Sequence, residues 1–118
     1  MHVEWVRDLC LSFEDVEECQ PFGPENIVYK IKGKMFLLIS LDDIPPRINV
    51  KTDPDQSIEL REAYPDNILP GFHMNKKHWN TVSSDGTISN ELFKELIDHS
   101  YDLVVQGLPK KLRDQLKN

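Results

Sequence analysis

The sequence predicts an α+β fold in which one antiparallel sheet carries helices on one face and leaves the other open. Three observations predict it. Four short runs rich in β-branched and aromatic residues are bounded by turn residues. Three longer segments repeat apolar residues at three- and four-residue steps or open on a helix cap. Their order, α-β-β-β-α-β-α-α once a short last helix is included, interleaves strands and helices as a two-layer sandwich does. The chain has 118 residues, which fits a single domain spanning 1–118.

Residues 2–12 form an amphipathic helix, with Val3, Val6, Cys10 and Phe13 on one stripe and Glu4, Arg7 and Asp8 opposite. Residues 14–24 lose that periodicity and hold Pro21, Gly23 and Pro24, which predicts a loop. Strands follow at 27–31 and 35–39, joined by the tight turn Lys32-Gly33-Lys34. After the turn at Asp42–Pro46, a third strand covers 47–51. Asp53-Pro54-Asp55-Gln56 places an N-cap, a proline at the first helical position and a glutamine three residues beyond the cap. The helix it opens runs to about Tyr64. Residues 66–78 are irregular around Pro70-Gly71, and Trp79–Ser83 is a fourth strand. Ser89 caps the longest helix, 90–105, whose buried stripe is Phe93, Leu96, Ile97, Ser100 and Val104, with Ile88 placed to staple on Phe93. Gly107 and Pro109 end it, and Lys110–Leu116 forms a short last helix.

Hydrophobic residues make up 39% of the chain and charged residues 29%, a balance suited to a water-exposed globule with an adequate core. No apolar run reaches the ~20 residues of a membrane span, and no basic-plus-apolar leader opens the chain. Cys10 and Cys19 lie in no metal-binding or CxxC spacing and read as reduced thiols. The expectation is a cytoplasmic monomer.

Charge is unevenly placed. The formal net charge is −6, yet residues 26–51 carry five bases against two acids, and residues 68–84 carry Lys76 and Lys77 with no acid at all. Residues 1–25 hold seven acids against one base. A basic surface on an acidic protein follows. On the third strand Ile48 and Val50 point to the core, so Arg47, Asn49 and Lys51 point to the open face. On the first strand Val28, Lys30 and Lys32 share a face, and Lys32 with Lys34 flanks the hairpin tip as a basic wing. Such groups pair with phosphates and base edges, while lysines at strand ends also guard a sheet against edge pairing. The acid-free segment adds Lys76, Lys77, His78, Trp79 and Asn80, with Trp79 available for stacking. His73 and His78 are spaced for neither a helix nor a strand face, which weakens a metal reading, and the carboxylates Glu14–Glu18, Asp42 and Asp43 lack a calcium-loop pattern. No GxSxG, activated cysteine or glycine-rich phosphate loop appears, so no catalytic residue is expected and no cofactor.

The string from Gly71 to Val82, Pro21-Phe22-Gly23, Lys32–Phe36, His99–Val104 and Leu108–Arg113 together resemble the MmcQ/YjbR family of small bacterial proteins across nearly the whole chain. Glu14-Asp15 departs from the pattern, standing where members tend to have Pro-Gly. The resemblance implies a frataxin-like (CyaY-like) sandwich with a double-wing arrangement connected to DNA binding, and it brings no catalytic residues. The expected function is therefore binding of double-stranded DNA, with Lys30, Lys32, Lys34, Arg47, Lys51, Lys76 and Lys77 on phosphates, Asn49, Trp79 and Asn80 adding directional contacts, and His78 among the contact residues of the loop. The alternative is a protein-interaction or small-ligand module on the open face around Trp79, and the third reading is frataxin-like metal binding.

Overall fold

The computed structural model describes residues 2–71 and 74–116. Ten elements follow one another: α1 (Val3–Ser12), β1 (Val16–Cys19), β2 (Asn26–Ile31), β3 (Lys34–Ser40), β4 (Arg47–Lys51), α2 (Pro54–Ala63), β5 (Ile68–Pro70), β6 (Trp79–Ser83), α3 (Asn90–Gln106) and α4 (Lys110–Arg113). The strands form one six-stranded sheet in the order β1-β2-β3-β4-β6-β5, and every neighbouring pair is antiparallel. The predicted α+β architecture is the one observed.

The helix caps sit where the sequence places them. The Asp53 carboxylate accepts from the Gln56 amide with Pro54 opening α2, and the Ser89 hydroxyl accepts from the Leu92 amide at the start of α3. The stripe Phe93, Leu96, Ile97, Ser100 and Val104 is buried, as is Ile88. It packs on Ile31, Leu37, Ile39, Ile48, Val50 and Val82 of the inner sheet face, with Val6 and Cys10 of α1 completing the core. Phe13 stacks on Tyr101 at 4.6 Å and meets Phe36 edge-on at 6.0 Å, which locks the end of α1 against α3 and the sheet.

Two strands were not expected. Residues 16–19, read as loop, form β1 and pair with β2 from Val16 opposite Ile31 to Cys19 opposite Val28. Alternation runs through Val16-Glu17-Glu18-Cys19, but the inward position after Val16 is an acid. Glu18 tolerates that place because Arg7 Nε donates to it at 2.8 Å and the Tyr29 hydroxyl at 2.7 Å. Likewise Ile68–Pro70, inside the segment read as irregular, forms the three-residue edge strand β5, with Ile68 buried and Pro70 ending it.

The departure at Glu14-Asp15 also has a local reason. Asp15 has φ 60°, the left-handed region that glycine enters freely and aspartate more readily than most residues. The loop keeps a glycine-like conformation with an acid in it. The Lys32-Gly33 turn has φ 50° and 81°, the two positive values a tight two-residue hairpin requires.

Candidate functional site

Strand alternation sorts the sheet into two faces. Directly paired residues share a face, so the register carries Lys30, Leu38, Asn49 and Thr81 to the side opposite the helices, together with Met35, Ser40, Arg47 and Lys51. This open face is not flat. It forms a groove of about 680 Å³ with an apolar wall of Phe22, Met35, Leu38 and Met74. Asn26, Ser40, Asn49 and Thr81 add polar groups, and Asp42, Asp43 and Arg47 also line it. Asn49 and Thr81 are each only 6% exposed, and the Thr81 hydroxyl donates to Asn49 Oδ1 at 2.6 Å across the β4–β6 pair.

Several predicted contact residues converge at one end of the sheet. The β2–β3 hairpin tip, the end of β4 and the start of β6 lie side by side there, because Lys51 pairs with Trp79 and Lys34 opens β3. That juxtaposition brings Lys34 and Lys51 to the same end as the turn bearing Lys76, Lys77 and His78, with Lys51 on the open face and Lys34, paired with buried Ile31, on the helix side of the hairpin end. The turn is held by its own backbone. Asn75 accepts from the amides of Lys77, His78 and Trp79, and His78 accepts from the Thr52 amide at 2.7 Å. Arg61 of α2 clamps it from below, donating to the Lys76 carbonyl at 2.5 Å and the Trp79 carbonyl at 3.2 Å. Among the described residues, Lys34, Lys51, Lys76 and Lys77 have no ion-pair partner.

The remaining predicted residues are placed differently. Asn80 is a correction: it faces the helices and is fully buried, accepting from Arg61 and donating to Thr52 and Ser57. Counting one position along β6 from outward-facing Thr81 gives that inward orientation, so Asn80 is a structural amide and not a surface contact. Asn49 is on the expected face but lies at the groove floor. Lys32 is committed elsewhere, 3.4 Å from the Asp15 carboxylate and donating to Gln115 at 3.2 Å. Arg47 lies 3.9 Å from Asp43, and Lys30 stands opposite Glu17. Phe72 and His73 of the acid-free segment lie outside the described residues. Among the described residues, no three His, Cys, Asp or Glu side chains gather as a metal site would require.

Phe22, Met35, Leu38, Met74 and Thr81 were not anticipated as site residues. A signal was present for part of the wall: Met35-Phe36-Leu37-Leu38-Ile39 is apolar without interruption, the pattern of a strand with both faces covered.

The family model described as YjbR matches residues 11–103, a span holding the hairpin, the groove and the clamped turn. The chain belongs to the YjbR family. Among YjbR relatives it is 48% identical over 112 residues to the uncharacterized protein YbdF of Escherichia coli O157:H7, covering 95% of this chain and 89% of that one. It is 32% identical over 116 residues to the uncharacterized protein YjbR of Escherichia coli K12, covering 98% of each. The crystal structure of protein DR2400 from Deinococcus radiodurans superposes with a TM-score of 0.91 at 40% identity, covering 96% of this chain and 86% of that one. A Pseudomonas syringae protein superposes at 0.75 with 26% identity, covering 87% and 98%. The overall fold described above is thus shared with both solved structures. Among the described residues no helix is long and apolar enough to cross a membrane.

Proposed function

We propose that this YjbR-family protein is a non-catalytic, cytoplasmic DNA-binding protein that meets the phosphate backbone with its basic β-wing and the adjoining basic end of its open sheet face. The observation that supports this most is the convergence of Lys34, Lys51, Lys76 and Lys77 at one end of the sheet, without carboxylate partners among the described residues. Uncommitted lysines on a rigid turn and a strand end are what phosphate contact needs, since ion pairs within the protein would have to be broken first. The net charge of −6 confines attraction to that end and makes binding weak and salt-sensitive.

The groove favours a second reading, a small-ligand module. Its volume of about 680 Å³ falls within the range of ligand pockets, ~300–1,000 Å³.

The test is a titration of ¹⁵N-labelled protein with a short random duplex at about 50 and 200 mM salt, a range over which phosphate contacts weaken strongly. Amide shifts at Lys34, Lys51 and Asn75–Trp79 that shrink at the higher salt are expected. If those amides stay still at both salts, duplex binding is out and the groove reading takes its place.

A further inference from the structure

We infer that the groove on the open face is a pocket for a single unpaired, carbonyl-bearing nucleobase, thymine being the probe of choice. This rests on the nucleic-acid reading and goes beyond it, because phosphate contact at the basic end needs no pocket.

Three features carry the inference. The wall is the kind a flat heterocycle packs on: the thioethers of Met35 and Met74 and the Leu38 side chain, with the exposed Phe22 ring closing the far end beside the start of β2. A polar group is fixed among these apolar ones. Asn49 accepts the Thr81 hydroxyl proton on Oδ1, and its Nδ2 has no partner among the described residues. With the amide held by Thr81, that group is a donor waiting for an acceptor, which a base carbonyl supplies.

The ends of the groove also differ in charge. Met35 follows Lys34, and Met74 precedes the Lys76-Lys77 turn, so the phosphate-attracting groups stand at one mouth. Asp42 and Asp43 line the other, and Arg47 offsets only Asp43. A phosphodiester chain running the length of the groove would meet those carboxylates. One base entering from the basic mouth, with its backbone left outside among the lysines, avoids them.

The experiment compares fluorescently labelled duplexes of equal length at about 50 mM salt: fully paired, with one bulged thymine, and with one abasic bulge. The bulged thymine is expected to bind about 10-fold tighter than the abasic bulge, the scale of one stacked base. Met35→Ala, which removes a thioether from the wall beside the basic mouth, is expected to abolish that difference while leaving affinity for the paired duplex unchanged. Leu38→Asn, which fills the wall with a polar group of similar size, should do the same. Equal affinity for thymine and abasic bulges overturns the pocket and leaves phosphate binding standing. Failure to bind any of the three overturns both readings.

Discussion

Arg61 Nε donates to Asn80 Oδ1 over 2.7 Å, and through this bond α2 holds the strand that carries the acid-free segment. The same guanidinium reaches the carbonyls of Lys76 and Trp79, so one side chain fixes the inner face of β6 and the basic turn before it. Burial lowers its pKa from the usual arginine value. Asn80 completes the arrangement by donating to Thr52 and Ser57, whose hydroxyls are also bonded to each other. Replacing Arg61 with methionine keeps the stem and removes the fork. Asn80 Oδ1 and the Lys76 carbonyl then lose this donor, while the Trp79 carbonyl keeps the Gly71 amide, and a loss of about 2 kcal/mol is expected from urea unfolding. Arg61→Lys should recover little, because a single ammonium cannot reproduce the planar fork. Full stability in Arg61→Met would show that the turn is held without it.

Gly71 is required by contact rather than by turn geometry. A Cβ at that position would lie 2.8 Å from the Trp79 Cβ and 3.1 Å from its carbonyl carbon and oxygen. Its amide also donates to the Trp79 carbonyl at 2.8 Å. Gly71→Ala therefore drives the end of β5 off β6, at a cost of about 1–3 kcal/mol. The accompanying signature is a shifted indole emission from Trp79, measured against Trp5→Phe in both backgrounds. Wild-type emission and stability together would place the added methyl somewhere the packing already allows.

How far the sequence revealed this molecule depends on how much each feature rests on local chemistry. The caps at Asp53 and Ser89, the α3 stripe and the outward alternation of Arg47, Asn49 and Lys51 all follow from period and side-chain type within a few residues. β1 was hidden because its inward Glu18 is satisfied by Arg7 and Tyr29, eleven residues away on either side. β5 was hidden because three residues ending in proline carry no strand signal of their own. At the site, alternation placed Asn49 on the right face but says nothing about depth. That Lys32 is taken up by Asp15 and Gln115, the latter 83 residues along the chain, is decided only by tertiary contact.

Ser100 stands in for a missing rung of the sheet. The β3–β4 ladder begins at Leu37 opposite Val50. One position further out, the Ser100 hydroxyl donates to the Phe36 carbonyl and accepts from the Lys51 amide at 2.8 Å. Ser100→Ala leaves a buried carbonyl and amide unpaired. The expected cost is about 1–3 kcal/mol, together with faster hydrogen exchange at Lys51. Because Lys51 belongs to the basic end, its amide shift on adding DNA should also broaden. Unchanged exchange at Lys51 would mean that another group replaces the hydroxyl.

Stability should fall at both ends of the pH scale through the Glu18–Tyr29 pair. The hydrogen bond from Arg7, followed by that from Tyr29 and the charge of Arg7, holds the Glu18 carboxyl below its ordinary value despite partial burial. A depressed carboxylate stabilises the fold above its unfolded pKa of about 4.3 and loses that contribution as pH drops through the lower folded value. Tyr29 is raised, by burial first and then by its bond to Glu18. Its contribution is complete below the unfolded pKa of about 10 and declines above it. In Glu18→Gln the acid-side decline should be shallower than in the wild type, read from urea midpoints between pH 3 and 11. Parallel curves for the two proteins would remove Glu18 from the account.

Lys32 and Lys34 separate the structural lysine of the hairpin from the functional one. Lys32 holds a positive φ, lies near Asp15 and bonds Gln115, whereas Lys34 is exposed and has no ion-pair partner among the described residues. Lys34→Gln is expected to weaken duplex binding and to lower the slope of log affinity against log salt by about 1, the share of one phosphate contact. Lys32→Asn removes a charge of the same sign, and asparagine suits the left-handed turn position. It should leave the slope in place and lower stability instead, by releasing Asp15 and Gln115. Fluorescence anisotropy from 50 to 200 mM salt distinguishes the two. A slope that falls equally in both variants would mean that Lys32 leaves Asp15 to join the phosphate contacts, and the wing would then act as a whole.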